Sequence, residues 1–229
     1  VLIIGGSSEY GLSSRIALAF GAKANTINVS FESAPKGNRS GSAGWWNNVY
    51  FHKHIKQEPT IHKDFIGDAF GSEMKENVIN YIKETFKTVD LVIYSLAAGG
   101  RRDEKTGETV KSHIKTIGTE AVGKTIDIAD LSVKELVVSP ANEEEIKETV
   151  FVMGGSDWQD WIERLDENQC LNQGARTISY TYIGGPTTDK IYRGGTLGKA
   201  KEDLEQRAVF MHNLLNQKYG GEALISSSK

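Results

Sequence analysis

The first 32 residues restrict the fold more than any other part of the chain. A short apolar run, Val1 to Ile4, leads directly into Gly5-Gly6-Ser7-Ser8-Glu9-Tyr10-Gly11. A helix-compatible stretch follows through Ala17 to Phe20, and Thr26 to Phe31 forms a second apolar, β-branched run closed by Glu32. Strand, glycine turn, helix, strand and acid in that order predict a βαβ unit with its turn at the carboxyl edge of a parallel sheet. The alternation continues downstream. Trp45-Trp46 opens a helix through Val49 and Phe51, and Phe65-Ile66 reads as a short strand before Gly67-Asp68-Ala69. Ser72 to Thr85 has helical spacing, with Met74, Val78, Tyr81 and Ile82 on one face. Leu91 to Tyr94 is a continuous apolar run of the kind buried in parallel sheets. These elements predict an α/β chain of Rossmann type, with a doubly wound, mostly parallel sheet and right-handed crossovers.

The second half is less regular. Arg101 to Val138 reads as loop or a short antiparallel insert, with Arg101-Arg102-Asp103-Glu104-Lys105 as a solvated face. Pro140 to Glu148 begins a helix reaching about Met153, and Trp158, Trp161, Ile162 and Leu165 form an amphipathic face whose spacing favours core packing. Thr177 to Ile183 reads as a strand, and Leu197 to Tyr219 as a long helix stopped by Gly220-Gly221. We read 1–229 as one domain, with 1–100 mainly binding a cofactor and 101–229 mainly catalytic. The chain opens at Val1 on an apolar strand and stops at Lys229 soon after the strand-like Ala223-Leu224-Ile225, so an excised piece of a longer protein is expected.

Composition excludes several classes. A hydrophobic content of 38% and a charged content of 25% suit a globular α/β chain. A net charge of -3 with both signs interspersed provides no broad positive field, so nucleic acid is not an expected partner. No apolar run approaches the ~20 residues that cross a bilayer, and stable membrane insertion is not expected. The single cysteine, Cys170, can form neither an internal disulfide nor a zinc site, and reads as packing in a cytoplasmic protein.

The glycine turn carries the first functional signal. Gly5 follows the strand and Gly11 opens the helix, so backbone can approach a pyrophosphate, with Ser7 and Ser8 as added donors. Glu32 lies at the ~20-residue spacing at which an acid accepts from the adenosine ribose hydroxyls and repels a 2′-phosphate. The expected cofactor is therefore NADH, with Phe31, next to Glu32, also expected at the cofactor. Asp68 can accept from the adenine amino group or cap a helix, with Ala69 next to it. Ser95-Leu96-Ala97 follows the fourth strand, where small side chains leave room for the nicotinamide ribose.

The second signal lies in Ile191 to Lys201, a tyrosine just before a helix that carries lysines. A tyrosine hydroxyl can donate to an oxygen on which charge builds, and a nearby lysine supports its anion and holds the nicotinamide ribose. Tyr192 to Lys199 is Tyr-x6-Lys and Tyr192 to Lys201 is Tyr-x8-Lys; two residues apart on a helix is a rotation of ~200°, so only one lysine faces the cofactor. No Tyr-x3-Lys occurs in the chain, which argues against an ordinary short-chain alcohol dehydrogenase or ketoreductase. Tyr182 lines the same pocket or is an edge aromatic.

Taken together, Ile4-Gly5-Gly6-Ser7-Ser8, Tyr10-Gly11-Leu12, Ala43-Gly44-Trp45, Gly67-Asp68-Ala69-Phe70, Tyr94-Ser95-Leu96-Ala97, Val152-Met153-Gly154-Gly155 with Asp157-Trp158, Tyr182-Ile183-Gly184 and Ile191 to Lys201 resemble the trans-2-enoyl-CoA reductases and FabV-type enoyl-ACP reductases over essentially the whole chain. The resemblance implies an extended short-chain-dehydrogenase-like fold and NADH-dependent reduction of the trans-2 double bond of an enoyl thioester. It implies Tyr192 as proton donor, Lys201 as its support, Tyr182 beside the substrate, and Tyr10 and Asp68 on the cofactor, with Glu32 conferring NADH preference. Its expected partners are enoyl-CoA or enoyl-acyl-carrier-protein, and a monomer is expected at full length. Glu9 departs from the pattern, since the family usually carries glycine there. Rival expectations are a short-chain carbonyl reductase and a non-catalytic NADH-sensing module.

Overall fold

The computed structural model describes residues 1–182 and 184–228, so Ile183, the last residue of the expected fifth strand, lies outside the described residues. The chain forms two compact units. The first comprises Val1–Ala97, Asp157–Tyr180 and Ala208–Ser226; the second comprises Ala98–Ser156 and Thr181–Arg207, with the end of the chain.

The first unit is built on a six-stranded sheet. Strands β1 (Leu2–Ile4), β2 (Thr26–Ser30), β3 (His62–Ile66), β4 (Val89–Tyr94), β9 (Leu171–Tyr182) and β10 (Glu222–Ser228) lie in the order β10-β9-β4-β1-β2-β3. β1 pairs in parallel with β2 and β4, β2 with β3, and β4 with β9. Reversal of strand order at β1 places a switch point beside its carboxyl end, where open α/β sheets bind ligands. Every residue of β1 and β2 is buried, as both faces of a central parallel strand require. β3 begins at His62, earlier than its apolar pair Phe65-Ile66 suggests, because its polar residues occupy an edge strand: Thr26 of β2 is paired with His62 and its hydroxyl meets the His62 ring 2.8 Å away. Burial holds the His62 imidazole down to about 4, with Arg15 and His52 adding positive charge nearby.

Helices α1 (Glu9–Ile16), continued by a π-helical turn Ala17–Gly21, α2 (Ala43–Ile55) and α3 (Ser72–Thr85) alternate with these strands. Val78 and Ile82 of α3 are fully buried. On α5 (Ser156–Glu167), Trp158, Trp161, Ile162 and Leu165 are all 0% exposed, so both tryptophans are core. The Trp158 indole donates to Thr177 Oγ1 at 2.8 Å, satisfying its one polar group. Cys170 is buried, and desolvation pushes its thiol upward. The second half of α6 (Thr196–Tyr219) ends at Gly220, whose φ of 64° is the left-handed stop that glycine permits.

In the second unit, the stretch expected as loop or insert forms two antiparallel hairpins, β5 (Gly100–Arg102) with β6 (Thr109–Lys111) and β7 (Ala121–Ile126) with β8 (Val133–Val138). Arg101 is not part of a solvated face. Its guanidinium donates to Ser156 Oγ at 2.8 Å and to the Phe151 carbonyl at 3.2 Å, and lies over the Phe151 ring. The helix expected from Pro140 begins at Glu143 as α4 (Glu143–Met153), because Asn142 and Glu145 form a reciprocal capping box. The start of α6 is anchored by Thr196, whose buried hydroxyl donates to the His113 carbonyl at 2.5 Å and accepts from the Lys115 amide at 3.1 Å. Among the described residues, no helix is long and apolar enough to cross a membrane and no His/Cys/Asp/Glu group could hold a metal ion.

Candidate active site

In the first unit the glycine turn is packed as closely as backbone allows. Gly5 has a φ of 88°, and a Cβ there would collide with the Ser95 carbonyl. A Cβ on Gly11 would strike the Gly5 carbonyl. The turn is held from below: the Gly5 amide donates to the Val29 carbonyl at 2.8 Å, the Gly6 amide to Asn28 Oδ1 at 2.9 Å, and the Ser95 amide to the Ile4 carbonyl at 2.8 Å. Ser8 stands at the N-cap of α1 with no side-chain cap bond, so the first amides of α1 keep their capacity for an anion. Glu9 adopts a φ of 47°. That left-handed conformation costs little for glycine and more for any other residue.

Glu32 sits beside the turn and is only partly exposed. Its Oε1 accepts from Ser7 Oγ at 2.5 Å, and its Oε2 accepts from Ser42 Oγ. The Ser7 hydroxyl is thus committed to Glu32. Each carboxylate oxygen retains a second lone pair, so the acid can still receive two ribose hydroxyls. Gly44 leaves room for this carboxylate: a Cβ on it would overlap the Glu32 oxygens, which would have to shift. Phe31 is 78% exposed next to it, an aromatic face open to a flat ring. Asp68 Oδ1 accepts from the Phe70 amide at 2.9 Å in a local turn, while the N-cap of α3 is Gly71. Ala69 is buried, Ser95 and Leu96 are half-buried and Ala97 is exposed.

Three partners of this turn escaped the sequence reading: Asn28, Ser42 and Asn47, whose Nδ2 donates to the Ser7 carbonyl at 2.9 Å. Asn28 has a signal, being a polar residue in the middle of a buried strand. Tyr10 is stacked on Tyr180 with ring centroids 5.5 Å apart, and the Tyr180 hydroxyl is 2.7 Å from Ser14 Oγ.

Close-packed glycines, helix amides without a side-chain cap and an acid with free lone pairs beside the turn fit a dinucleotide. Gly5, Gly11 and Ser8 would hold its pyrophosphate and Glu32 its adenosine ribose.

In the second unit Tyr182 and Tyr192 meet edge to face, with ring centroids 5.3 Å apart. Tyr192 lies within the turn before α6, four residues ahead of Thr196, and Lys199 and Lys201 lie in the first turns of that helix. They differ as the ~200° rotation requires. Lys199 is paired with Glu202 at 2.8 Å on the surface. Lys201 is half-buried, its ammonium has no partner among the described residues, and desolvation pulls its pKa below the ordinary lysine range with no acid to offset it. Asp203, two residues on, accepts from the Gly155 amide at 2.9 Å, so α6 is fixed on both sides of Lys201 by Thr196 and Asp203.

Residues 1–37 match the family described as the NAD(P)H binding domain of trans-2-enoyl-CoA reductase, and residues 39–229 match that described as the trans-2-enoyl-CoA reductase catalytic region. The chain belongs to the trans-2-enoyl-CoA reductase family. The cofactor-binding match of that family contains the glycine turn and Glu32, and its catalytic match contains Tyr182, Tyr192 and Lys201. The chain is 50% identical over 230 residues to the trans-2-enoyl-CoA reductase (NADH) of Clostridium beijerinckii, covering 100% of this chain and 58% of that protein. It is 44% identical over 231 residues to the enoyl-acyl-carrier-protein reductase (NADH) 2 of Photobacterium profundum, again with 100% and 58% covered. The crystal structure of trans-2-enoyl-CoA reductase from Clostridium acetobutylicum in complex with NADH superimposes with a TM-score of 0.94 at 48% identity, covering 100% of this chain and 57% of that one. This chain therefore spans a little under three fifths of these relatives.

Proposed function

We propose that this chain is the cofactor-binding and catalytic part of an NADH-dependent enoyl-thioester reductase, which saturates the trans-2 double bond of an enoyl-CoA or enoyl-acyl-carrier-protein. The observation that carries the reading is Lys201: a desolvated lysine without a carboxylate, in the helix that follows Tyr192, against Lys199 in an ordinary surface pair. A half-buried cation left without an acid among the described residues costs stability, and such groups cluster where chemistry needs them. NADH, when bound, supplies the hydride. The chain's own contribution is to bind and polarise. Gly5, Gly11 and the α1 amides hold the phosphates, Glu32 takes the ribose hydroxyls with Phe31 beside the adenine, and Ser95 to Ala97 leave space at the nicotinamide end. Tyr192 donates to the thioester oxygen as negative charge builds there, Lys201 stabilises the resulting phenolate, and Tyr182 borders the acyl chain. The names of the relatives, both CoA and acyl-carrier-protein types, support the substrate class.

The test is a substrate panel on the complete gene product, with crotonyl-CoA, an enoyl-acyl-carrier-protein and a ketone, each with NADH and NADPH. Oxidation of NADH is expected with the enoyl thioesters, and Tyr192→Phe should lower turnover by about 10²–10⁴-fold while NADH binding persists. Turnover of the ketone alone, or near-normal rates in Tyr192→Phe, would overturn the reading.

A further inference from the structure

Lys75 of α3 is 1% exposed, among the most deeply buried charged side chains of the first unit. Its ammonium donates to Asp157 Oδ1 at 2.5 Å and to Asp160 Oδ2 at 2.6 Å, both on α5. The other oxygen of Asp157 accepts from the Tyr94 hydroxyl at 3.0 Å. Asp157 is itself 1% exposed and Tyr94 6%. The Tyr94 ring stacks on Trp158, with centroids 6.3 Å apart. One carboxylate thus joins a cation from α3 to a phenol at the end of β4.

Tyr94 is the last residue of β4, and Ser95 follows it. The Ser95 carbonyl lies so close to Gly5 that a Cβ there would collide with it, and the Ser95 side chain lies against Gly11. Whatever fixes Tyr94 therefore fixes how deeply the glycine turn is seated. Stability alone is a poor reason for such a cluster. A buried ion pair is commonly replaceable by apolar residues of similar volume without loss, and Tyr94 already has apolar packing through its ring. What the hydroxyl and the carboxylate add is direction and depth.

We propose that Tyr94, Asp157 and Lys75 are positioning residues for the cofactor turn. They set the Ser95 backbone against Gly5 and Gly11, and so the affinity for the dinucleotide, without touching it. The inference deepens the function proposed above and rests on the cofactor half of that reading.

Tyr94→Phe in the complete gene product tests it, because this change removes one oxygen and leaves the ring. NADH affinity is read by fluorescence without enoyl substrate. The expected result is a dissociation constant raised about tenfold, the loss anticipated for a charge-assisted hydrogen bond, with kcat at saturating NADH within about twofold of the parent. Faster amide hydrogen exchange at Ser95 to Ala97 should accompany it. Ile82→Val, a core change on the same helix as Lys75, is the control: it should lower the melting temperature and leave the dissociation constant unchanged. Tyr94→Phe with parental NADH affinity, or Ile82→Val with an equal loss, overturns the proposal. If Tyr94→Phe does not accumulate as folded protein, Asp157→Asn carries the test by the same two readings. A parent that binds NADH but reduces no enoyl thioester overturns the substrate assignment alone and leaves this measurement intact.

Discussion

Lys75 and Lys201 show what the same side chain does in two different places. Each is taken out of bulk water on a helix. Lys75, in the first unit, meets two carboxylates at 2.5 and 2.6 Å and lies over the Trp161 ring. Lys201, in the second, meets none among the described residues, and its charge is disfavoured by desolvation alone. A paired buried cation defines geometry and is costly to unpair; an unpaired one is a cost that the fold carries for another purpose. Pairing, more than burial, separates the two roles.

The comparison can be broken by truncating each lysine. Lys75→Met strands Asp157 in the interior, so it should destabilise the protein by about 3–5 kcal/mol, read by urea denaturation. Lys201→Met should do the opposite, abolishing most turnover while raising stability by about 0.5–2 kcal/mol. The sign follows from the lowered pKa. Below its folded value the lysine is charged in both states and the folded protein bears the full desolvation cost. As pH rises through the folded pKa towards the ordinary 10.5, that cost disappears. The stability gain of Lys201→Met should therefore be largest at neutral pH and shrink in alkali; a gain that grows with pH would remove the argument.

Two smaller effects sharpen it at the glycine turn. Glu9→Gly relieves a left-handed residue and should stabilise by about 1 kcal/mol, measured as a shift in melting temperature. Glu32→Ala should narrow the preference for NADH over NADPH. No change in that ratio would mean that the hydrogen bonds from Ser7 and Ser42 exhaust this carboxylate's role.

Much of the first unit was legible because parallel strands announce themselves. Val1 to Ile4 and Leu91 to Tyr94 are continuous apolar runs, Thr26 to Ser30 carries Thr26, Ile27 and Val29 around the polar Asn28, and the glycine turn between the first and second strands leaves few alternatives. β3 was legible only in its second half, since His62, Lys63 and Asp64 carry no apolar signal and belong to an edge. The hairpins of the second unit were foreseen only as a loop or a short antiparallel insert, without their register, which local patterns specify weakly. Arg101 was misread for a general reason: a charged run looks solvated until tertiary structure supplies Ser156 and the Phe151 ring. Lys75 is the same case in stronger form, since a lysine in an amphipathic helix gives no hint of an aspartate 82 positions away. Spacing left Lys199 and Lys201 open, and helix geometry separates their environments.

Cys170 has a practical consequence. It is the chain's sole thiol, fully enclosed and with its ionisation suppressed. Alkylating reagents capture thiolates that they can reach, so in the native protein this sulfur is silent. The rate at which iodoacetamide captures it then becomes a clock for the opening of the sheet around β9, and any cysteine placed on the surface becomes a unique handle for a dye.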